Sequence, residues 1–339
     1  MSPVGQALKS GPEVTLQSEG RLTGVGHAEI RVRGRAVSVP SAQIDGRTVI
    51  TTGKWLKIAA VQDEDLIEGK LLGEPASFVV HLQETGLNAD IFTFPQRLGD
   101  GAPKYRYHLE WDNLAVIPIT TFSDWWDKRV EPSVRRAVRK AAKAGVVVTP
   151  AELDEGFVRG VVSIYHETPV RQGKPFWHFQ KSVEAVKREN STYPERSMFL
   201  GAYYQGELIG FMRMIHTDGV ASVIQFLTMM KHFEKRPANA LIAKAVEVCQ
   251  QRGYSHLVYC NYIYYDPKSS LTEFKRRNGF EPVLLPRYYV PLTLKGEVAL
   301  RLGLHRGLAK RIPAPLVRQI LKIRRLWYAR RLTAAQGAL

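Results

Sequence analysis

MFLGAYYQGELIGFMRMIHTDGVASVIQFLTM, residues 198–229, decides how this chain is read. Apolar and β-branched residues run through 198–204, 208–216 and 220–229, and Gln205-Gly206-Glu207 and Thr217-Asp218-Gly219 separate them. Glycine beside a polar residue between apolar runs is a tight-turn signal, so the stretch predicts three sequential antiparallel strands. Downstream, a helix is expected over 237–252, opened by Pro237 and stopped by Gly253. A strand over 256–261, a helix over 270–278 closed by Gly279 and a strand over 281–291 complete the pattern. Upstream lie helices over 154–167 and 179–190, flanking the loop 168–178. The order is αα-βββ-α-β-α-β, an α/β (α+β) arrangement with a mixed sheet flanked by helices.

Further toward the N-terminus, Pro132 opens a helix that Gly145 ends, with Val134, Ala137, Val138 and Ala141 on one face. Arg135, Arg136, Arg139, Lys140 and Lys143 share the other face. A short strand over 146–149 follows. The first hundred residues read mainly as strands, over 30–39, 48–61 and 89–94, with an Asp45-Gly46 turn and a helix over 75–85. Two more strands are expected over 104–111 and 114–119.

The chain has 339 residues, 45% hydrophobic and 24% charged, an ordinary globular balance. Its net charge of +16 favours anionic partners such as nucleotides, nucleic acid or an anionic membrane face. Cys249 and Cys260 each sit in apolar sequence and read as buried thiols in a reducing compartment. The N-terminus lacks the basic segment and apolar run of a signal peptide, and no apolar run reaches the length of a spanning helix. The expected location is the cytoplasm, with peripheral contact at the inner face of the membrane as a further option. No Walker A, Gly-x-Ser-x-Gly or Cys/His metal spacing occurs, so no metal is expected.

Particular tracts resemble the GNAT acyltransferase superfamily. Phe199–Tyr203 with Gly206–Gly210 is similar to the GNAT hairpin that leads to the acyl-CoA strand. Leu271-Thr272-Glu273-Phe274-Lys275 through Gly279-Phe280 resembles the late GNAT helix and its Gly-Phe ending. The Leu-x-x-Phe-Lys core, with Arg135-Arg136-Ala137 through Lys143-Ala144-Gly145-Val146, is closer to the Fem (peptidyltransferase-like) branch. The resemblance covers 125–292 and extends loosely to 1–124 as a degenerate GNAT-like half. It implies three regions: 1–124, a GNAT/Fem-like domain over 125–294, and a basic helical tail over 295–339. In one place the sequence departs from the usual pattern. Where GNAT enzymes carry a glycine-containing pyrophosphate loop, this chain has Lys235-Arg236-Pro237-Ala238-Asn239-Ala240. Fem members also tend to lack those glycines and use aminoacyl-tRNA.

The resemblance implies an N-acyltransferase whose co-substrate is acyl-CoA (acetyl-CoA or longer) or aminoacyl-tRNA. Its acceptor would be an amine on a small molecule, saccharide or peptide. Lys235, Arg236, Ala238 and Asn239 would form a donor anion site at a helix mouth, where free N–H groups and the helix dipole face outward. A solvated basic loop is the other reading. Gln225 and Leu227 stand on the strand that meets the donor chain in GNAT folds, although Gln225 also reads as a satisfied core amide. Phe274 and Lys275 would border the transfer centre, with Tyr265 or Asp266 handling a proton. Lys275 is expected at the edge of its helix's buried face, and so replaceable by alanine with little loss of stability; a plain surface lysine is the alternative. In the interhelical loop Arg171 could grip an anion, Trp177 could stack on an acceptor, and Glu167 or His178 could serve as its base. A structural cover over the helices is the alternative. Leu316, Ile320, Ile323 and Trp327, among basic residues, have the spacing of a helix suited to an anionic membrane surface or to packing on the domain. The competing class is a non-catalytic module that binds nucleic acid or membrane.

Overall fold

The turns marked in the sequence form as tight hairpins. Asp45-Gly46, Gln205-Gly206 and Asp218-Gly219 all place both residues at positive φ, between 48° and 81°. That is the type I′ geometry whose twist matches paired strands. The computed structural model of this protein describes residues 23–306, except 33–34, 70–71, 172–173 and 265.

The first part of the chain runs β1 (Thr23–Val32), β2 (Arg35–Ile44), β3 (Arg47–Thr52), β4 (Ile58–Val61), α1 (Pro75–Glu84), β5 (Ile91–Pro95) and β6 (His108–Pro118). Short α2 (Phe122–Asp124) continues into a π-helical turn, Trp125–Arg129, before α3 (Pro132–Lys143). Next come β7 (Val147–Ala151), α4 (Glu155–His166), a two-residue hairpin β8 (Val170–Arg171) and β9 (Lys174–Pro175), and α5 (Val183–Asn190). Then follow β10 (Ser197–Tyr204), β11 (Glu207–Thr217), β12 (Val220–Thr228), α6 (Pro237–Gln251), β13 (His256–Asn261), α7 (Ser270–Arg277), β14 (Glu281–Pro291) and α8 (Leu294–Arg301).

Twelve strands form one sheet in the order β1-β2-β3-β4-β5-β14-β6-β13-β12-β11-β10-β7. Two motifs repeat within it. Strands β2, β3 and β4 pair antiparallel, and β5, reached through α1, joins β4 in parallel. Strands β10, β11 and β12 likewise pair antiparallel, and β13, reached through α6, joins β12 in parallel. The strand after each motif crosses to the other. β6 pairs with β13, while β14 pairs with β5 and with β6. The expected division at residue 124 therefore cuts through a continuous sheet. Tyr288 and Val290 of β14 are core residues of the first motif, packed with Phe78, Leu82, Phe92 and Phe94.

Several local expectations need correction. The strand expected over 30–39 is the two limbs of a hairpin, with Val32 opposite Arg35. The one expected over 48–61 is split into β3 and β4, and the two over 104–119 are one strand. A period-two pattern continues across a reversal or a kink, so alternation by itself does not locate either. Helix α5 begins at Val183 rather than 179, where Ser182 accepts a hydrogen bond from the Ala185 N–H at 3.2 Å. Cys249 is buried as expected, but Cys260 is exposed, at φ 48°, where β13 leaves its neighbour.

The start of the tail expected over 295–339 lies in helix α8, which packs on the sheet. Helix α8 buries Ala299 and Leu300 beside Ile91, and the Lys295 ammonium pairs with Asp90 at 2.8 Å. A Cβ on Gly296 would lie 1.9 Å from the Asp90 carbonyl oxygen. Backbone cannot retreat as a side-chain tip does, so Gly296→Ala is expected to destabilise the protein by about 2–3 kcal/mol. Urea unfolding checks this; parental stability would mean that α8 docks loosely. The tail expected to form an amphipathic helix, residues 316–327, lies outside the described residues. Among the described residues, no helix is long and apolar enough to cross a membrane.

Candidate functional site

Strands β12 and β13 pair only from Val220↔His256 to Ser222↔Val258. Beyond that point they diverge. β12 carries an extra residue opposite Arg213/Met214, and β13 shifts register against β6 after Val258. A bulge bends a strand and disrupts its ladder, so the facing backbone edges here open into a wedge. Phe226, Tyr259 and Phe274 lie along it, with ring centroids 5.7 Å (Phe226–Tyr259) and 6.1 Å (Phe226–Phe274) apart.

Lys275 occupies the floor of the wedge. Ser269 caps α7, accepting from the Thr272 N–H at 3.1 Å, and that phase turns Thr272 and Lys275 inward. Lys275 is fully buried. Its Nζ donates to the Asn261 carbonyl at 2.5 Å and sits over the Tyr259 and Tyr264 rings at 4.5 and 5.0 Å. Burial pulls its pKa down to about 8. The expectation that Lys275 lies at the edge of a buried face is overturned: Lys275 points inward, and Phe274 is the half-buried neighbour. A helix only eight residues long offers too few apolar positions to fix its inward face from sequence.

Two cavities flank the wedge. One, of about 520 Å³, opens at the start of α6 between α3 and α7. Arg136, Lys140, Arg236, Ala238, Asn239, Thr228 and Phe274 line it. Arg236 sits at φ 60° immediately before Pro237 and no side chain caps α6, so the Ala238 and Asn239 N–H groups at the cavity mouth have no capping partner. Asn239 donates to the Asn278 side-chain oxygen at 3.1 Å. Lys235 does not line this cavity: its ammonium pairs with Glu234 at 2.7 Å and lies over the Tyr204 ring at 4.7 Å. The second cavity is a cleft of about 1110 Å³ between the two repeated motifs. Gln225, Leu227, Tyr259, Tyr264, Trp177 and His178 line it, facing β1 and Asp63.

The remaining sequence candidates fall into different places. Glu167 does not face the cleft. Its oxygens accept from the Met230 and Lys231 N–H groups, each at 2.8 Å, and from Arg171 at 3.0 Å. Arg171 also donates to the Thr228 carbonyl at 3.0 Å. These two side chains latch α4 to the end of β12, which occupies both the base and the anion grip expected of them. His178 is buried against Tyr165, with ring centroids 4.1 Å apart. Burial, with Lys181 and Arg171 nearby, pushes its pKa down to about 3, so it is a weak base at neutral pH. Trp177 is half exposed and carries Lys181 over its ring at 4.3 Å. Asp266 accepts from the Lys268 N–H at 3.0 Å and shapes the turn before α7. Tyr265 lies outside the described residues.

Sequence reading passed over Arg213, Tyr165 and Asn190, all buried beside the cleft. A signal existed for Arg213: it is the one charge inside the apolar run 208–215. Away from the wedge, His108, Glu110 and His305 bring three metal-ligand atoms within 4.8 Å. The Arg306 guanidinium already holds the Glu110 carboxylate at 2.7 Å, and its charge opposes a cation there.

Residues 161–280 match the model of the acetyltransferase (GNAT) family. The fold is similar to a crystal structure of FemX, with TM-score 0.53 and 8% identity over 78% of this chain and 88% of that one. It also resembles L-PGS from Bacillus licheniformis, with TM-score 0.49 and 13% identity over 76% and 86% of the two chains. A tandem GNAT protein from the clavulanic acid biosynthesis pathway gives TM-score 0.41 and 12% identity over 79% and 83%. No curated protein sequence matches the chain.

Proposed function

With residues 161–280 forming a GNAT-type domain on a Fem-like fold, we propose that the protein is an N-acyltransferase. It moves an acyl or aminoacyl group to an amine on a cell-envelope or polysaccharide precursor. The observation that carries this reading is the β12/β13 wedge, whose Phe274 lines the cavity at α6 and whose Phe226 and Tyr259 line the cleft, with the buried Lys275 ammonium over the Tyr259 and Tyr264 rings. A donor enters with its phosphate at the α6 mouth and its acyl carbonyl in the wedge. Unpaired backbone groups of β12 and β13 bind the chain leading to that carbonyl.

The acceptor amine comes from the cleft as the neutral base and attacks the carbonyl carbon. The oxygen then becomes an oxyanion, and an ammonium fixed within reach lowers the barrier because no solvent need reorganise. Lys275 suits this task, being mostly protonated at neutral pH and shielded from water. Collapse of the intermediate breaks the bond to the donor's sulfur or ribose oxygen, and the proton shed by the nitrogen passes to that leaving group directly or through water, giving the amide and a free thiol or ribose hydroxyl. No metal takes part in this scheme. Either an acyl-CoA or an aminoacyl-tRNA meets the chemistry of the α6 mouth, since both present phosphate beside an activated acyl group.

The test is transfer of labelled acyl groups from acetyl-CoA, a long-chain acyl-CoA and aminoacyl-tRNA to a mixed pool of amines. Arg136→Ala with Arg236→Ala is expected to weaken binding of the active donor at least tenfold, with melting unchanged. Calorimetry reads that affinity, and parental affinity would remove the α6 mouth as the donor site. RNA binding with a steep salt dependence and no transfer from any donor would instead make the protein a binding module.

A further inference from the structure

The cleft contains an unbalanced charge that acyl transfer to a simple amine does not explain. Arg213 of β11 lines it and is 2% exposed. Every partner of its guanidinium is neutral: the Glu189 carbonyl at 3.0 Å, the Thr192 carbonyl, the Thr192 hydroxyl at 2.9 Å and the Ser197 hydroxyl at 3.0 Å. Its Nε–H is buried and unused. Burial without a compensating carboxylate lowers its pKa to about 10. A buried cation without a counter-ion is costly, so its presence calls for a function.

The acids of the cleft are otherwise placed. Glu189 is held by Lys181 at 2.6 Å and Arg31 at 2.9 Å. Asp63 accepts from the Tyr193 hydroxyl at 2.6 Å. Glu29 is exposed on β1 at the rim. Arg188, on α5, lines the same cleft, is exposed and makes no ion pair among the described residues. Around Arg213 the buried polar atoms include the Tyr165 hydroxyl, with the Asn190 and Gln225 side chains within its reach, and the His178 Nδ1, which has no hydrogen-bond partner among the described residues. The unused His178 Nδ1 and Arg213 Nε–H are buried at a cost that a polar ligand would offset.

We propose that the cleft binds an acceptor bearing an anionic oxygen group, a carboxylate or a phosphate, close to its amine. Arg213 and Arg188 supply the positive field, and Gln225 sits between that anion and the wedge. The inference rests on the acyltransferase reading for its amine, but the anion site is a statement about binding alone. A carboxylate would come from an amino acid or peptide acceptor, and a phosphate from an acceptor of the sugar-phosphate kind.

Binding to the full chain, followed by calorimetry, tests it with two probe pairs. They are L-alanine against ethylamine, and glucosamine 6-phosphate against glucosamine. At least one anionic member is expected to bind tenfold or more tightly than its neutral partner, and which pair shows the preference names the anion. Arg188→Gln, at an exposed site that cannot disturb the core, is expected to lower that preference severalfold. Arg213→Lys keeps the charge but not the fork, and is expected to lower it further wherever the variant melts as a folded protein. Equal binding of anionic and neutral probes up to millimolar concentration, or an Arg188→Gln variant with the full preference, overturns the proposal. Acylation of neutral amines alone would keep the transferase reading and reject the anion site. Anion-selective binding with no transfer from any donor would do the reverse.

Discussion

Lys275→Met is expected to lower turnover by about 10²–10³-fold, the usual loss when one oxyanion donor is removed. The same variant should melt no lower than the parent. Both effects come from burial. The ammonium is enclosed by Tyr259, Tyr264 and the Asn261 carbonyl, and the charge is held there against its hydration. Its pKa falls from 10.5 to about 8, a differential cost on the order of 3 kcal/mol to the folded state at neutral pH. Methionine fills the same length without that cost and loses one hydrogen bond in exchange. Lys275→Ala, expected from sequence to melt as the parent does, should instead lose about 2–3 kcal/mol, because it leaves a cavity.

The pH dependence follows in sign. Between about 8 and 10.5 the unfolded chain keeps its proton on this lysine while the folded chain has lost it. The unfolded state then binds more protons, so the stability contribution rises with pH across that window. The penalty is fully present below about 8. Activity should move the other way, falling as pH passes about 8 and the ammonium is lost. Turnover on the true substrate and thermal melts from pH 7 to 10 check both. A methionine variant with parental turnover, or one that melts far lower, would falsify the assignment of Lys275 as a charge kept for function.

Glu167→Ala should be the most destabilising single change near the site, at about 3–5 kcal/mol. The carboxylate satisfies two backbone N–H groups, Met230 and Lys231, and neutralises Arg171, with all three contacts between 2.8 and 3.0 Å. Both side chains are about 15% exposed. Removing one partner leaves a largely buried guanidinium and two N–H groups unpaired, and the loss of one partner in a buried pair is costly. The segment released leads directly into the α6 mouth, so donor affinity should fall with stability. Glu167→Gln discriminates between roles. A general base converted to an amide would lose turnover with its stability intact. A latch would lose part of its stability and keep proportionate activity at low temperature. Urea titrations beside initial rates at low temperature decide between them, and an unchanged unfolding midpoint for the alanine variant would end the latch account.

The sequence by itself determined the second motif. Its turns carry Gln-Gly and Asp-Gly pairs that few other conformations use, and α6 starts at Pro237 and stops before Gly253, so these elements are marked locally. Residues 198–261 therefore folded as read, and their order implied the GNAT-type arrangement that the fold and the family match bear out. Strand breaks in the first motif were less legible, because alternation is the same on both sides of a reversal. Tertiary structure alone decided three matters. Exchange of β6 and β14 between the motifs depends on pairings more than a hundred residues apart, which no local signal encodes. The inward phase of Lys275 is set by the Ser269 cap and the tyrosines of β13 and the loop after it, not by the eight residues of its helix. Glu167 and Arg171 looked like ligand groups because they are charged residues in a loop region. What they touch is backbone brought from residues 228–231, and only folding places that backbone within hydrogen-bonding reach.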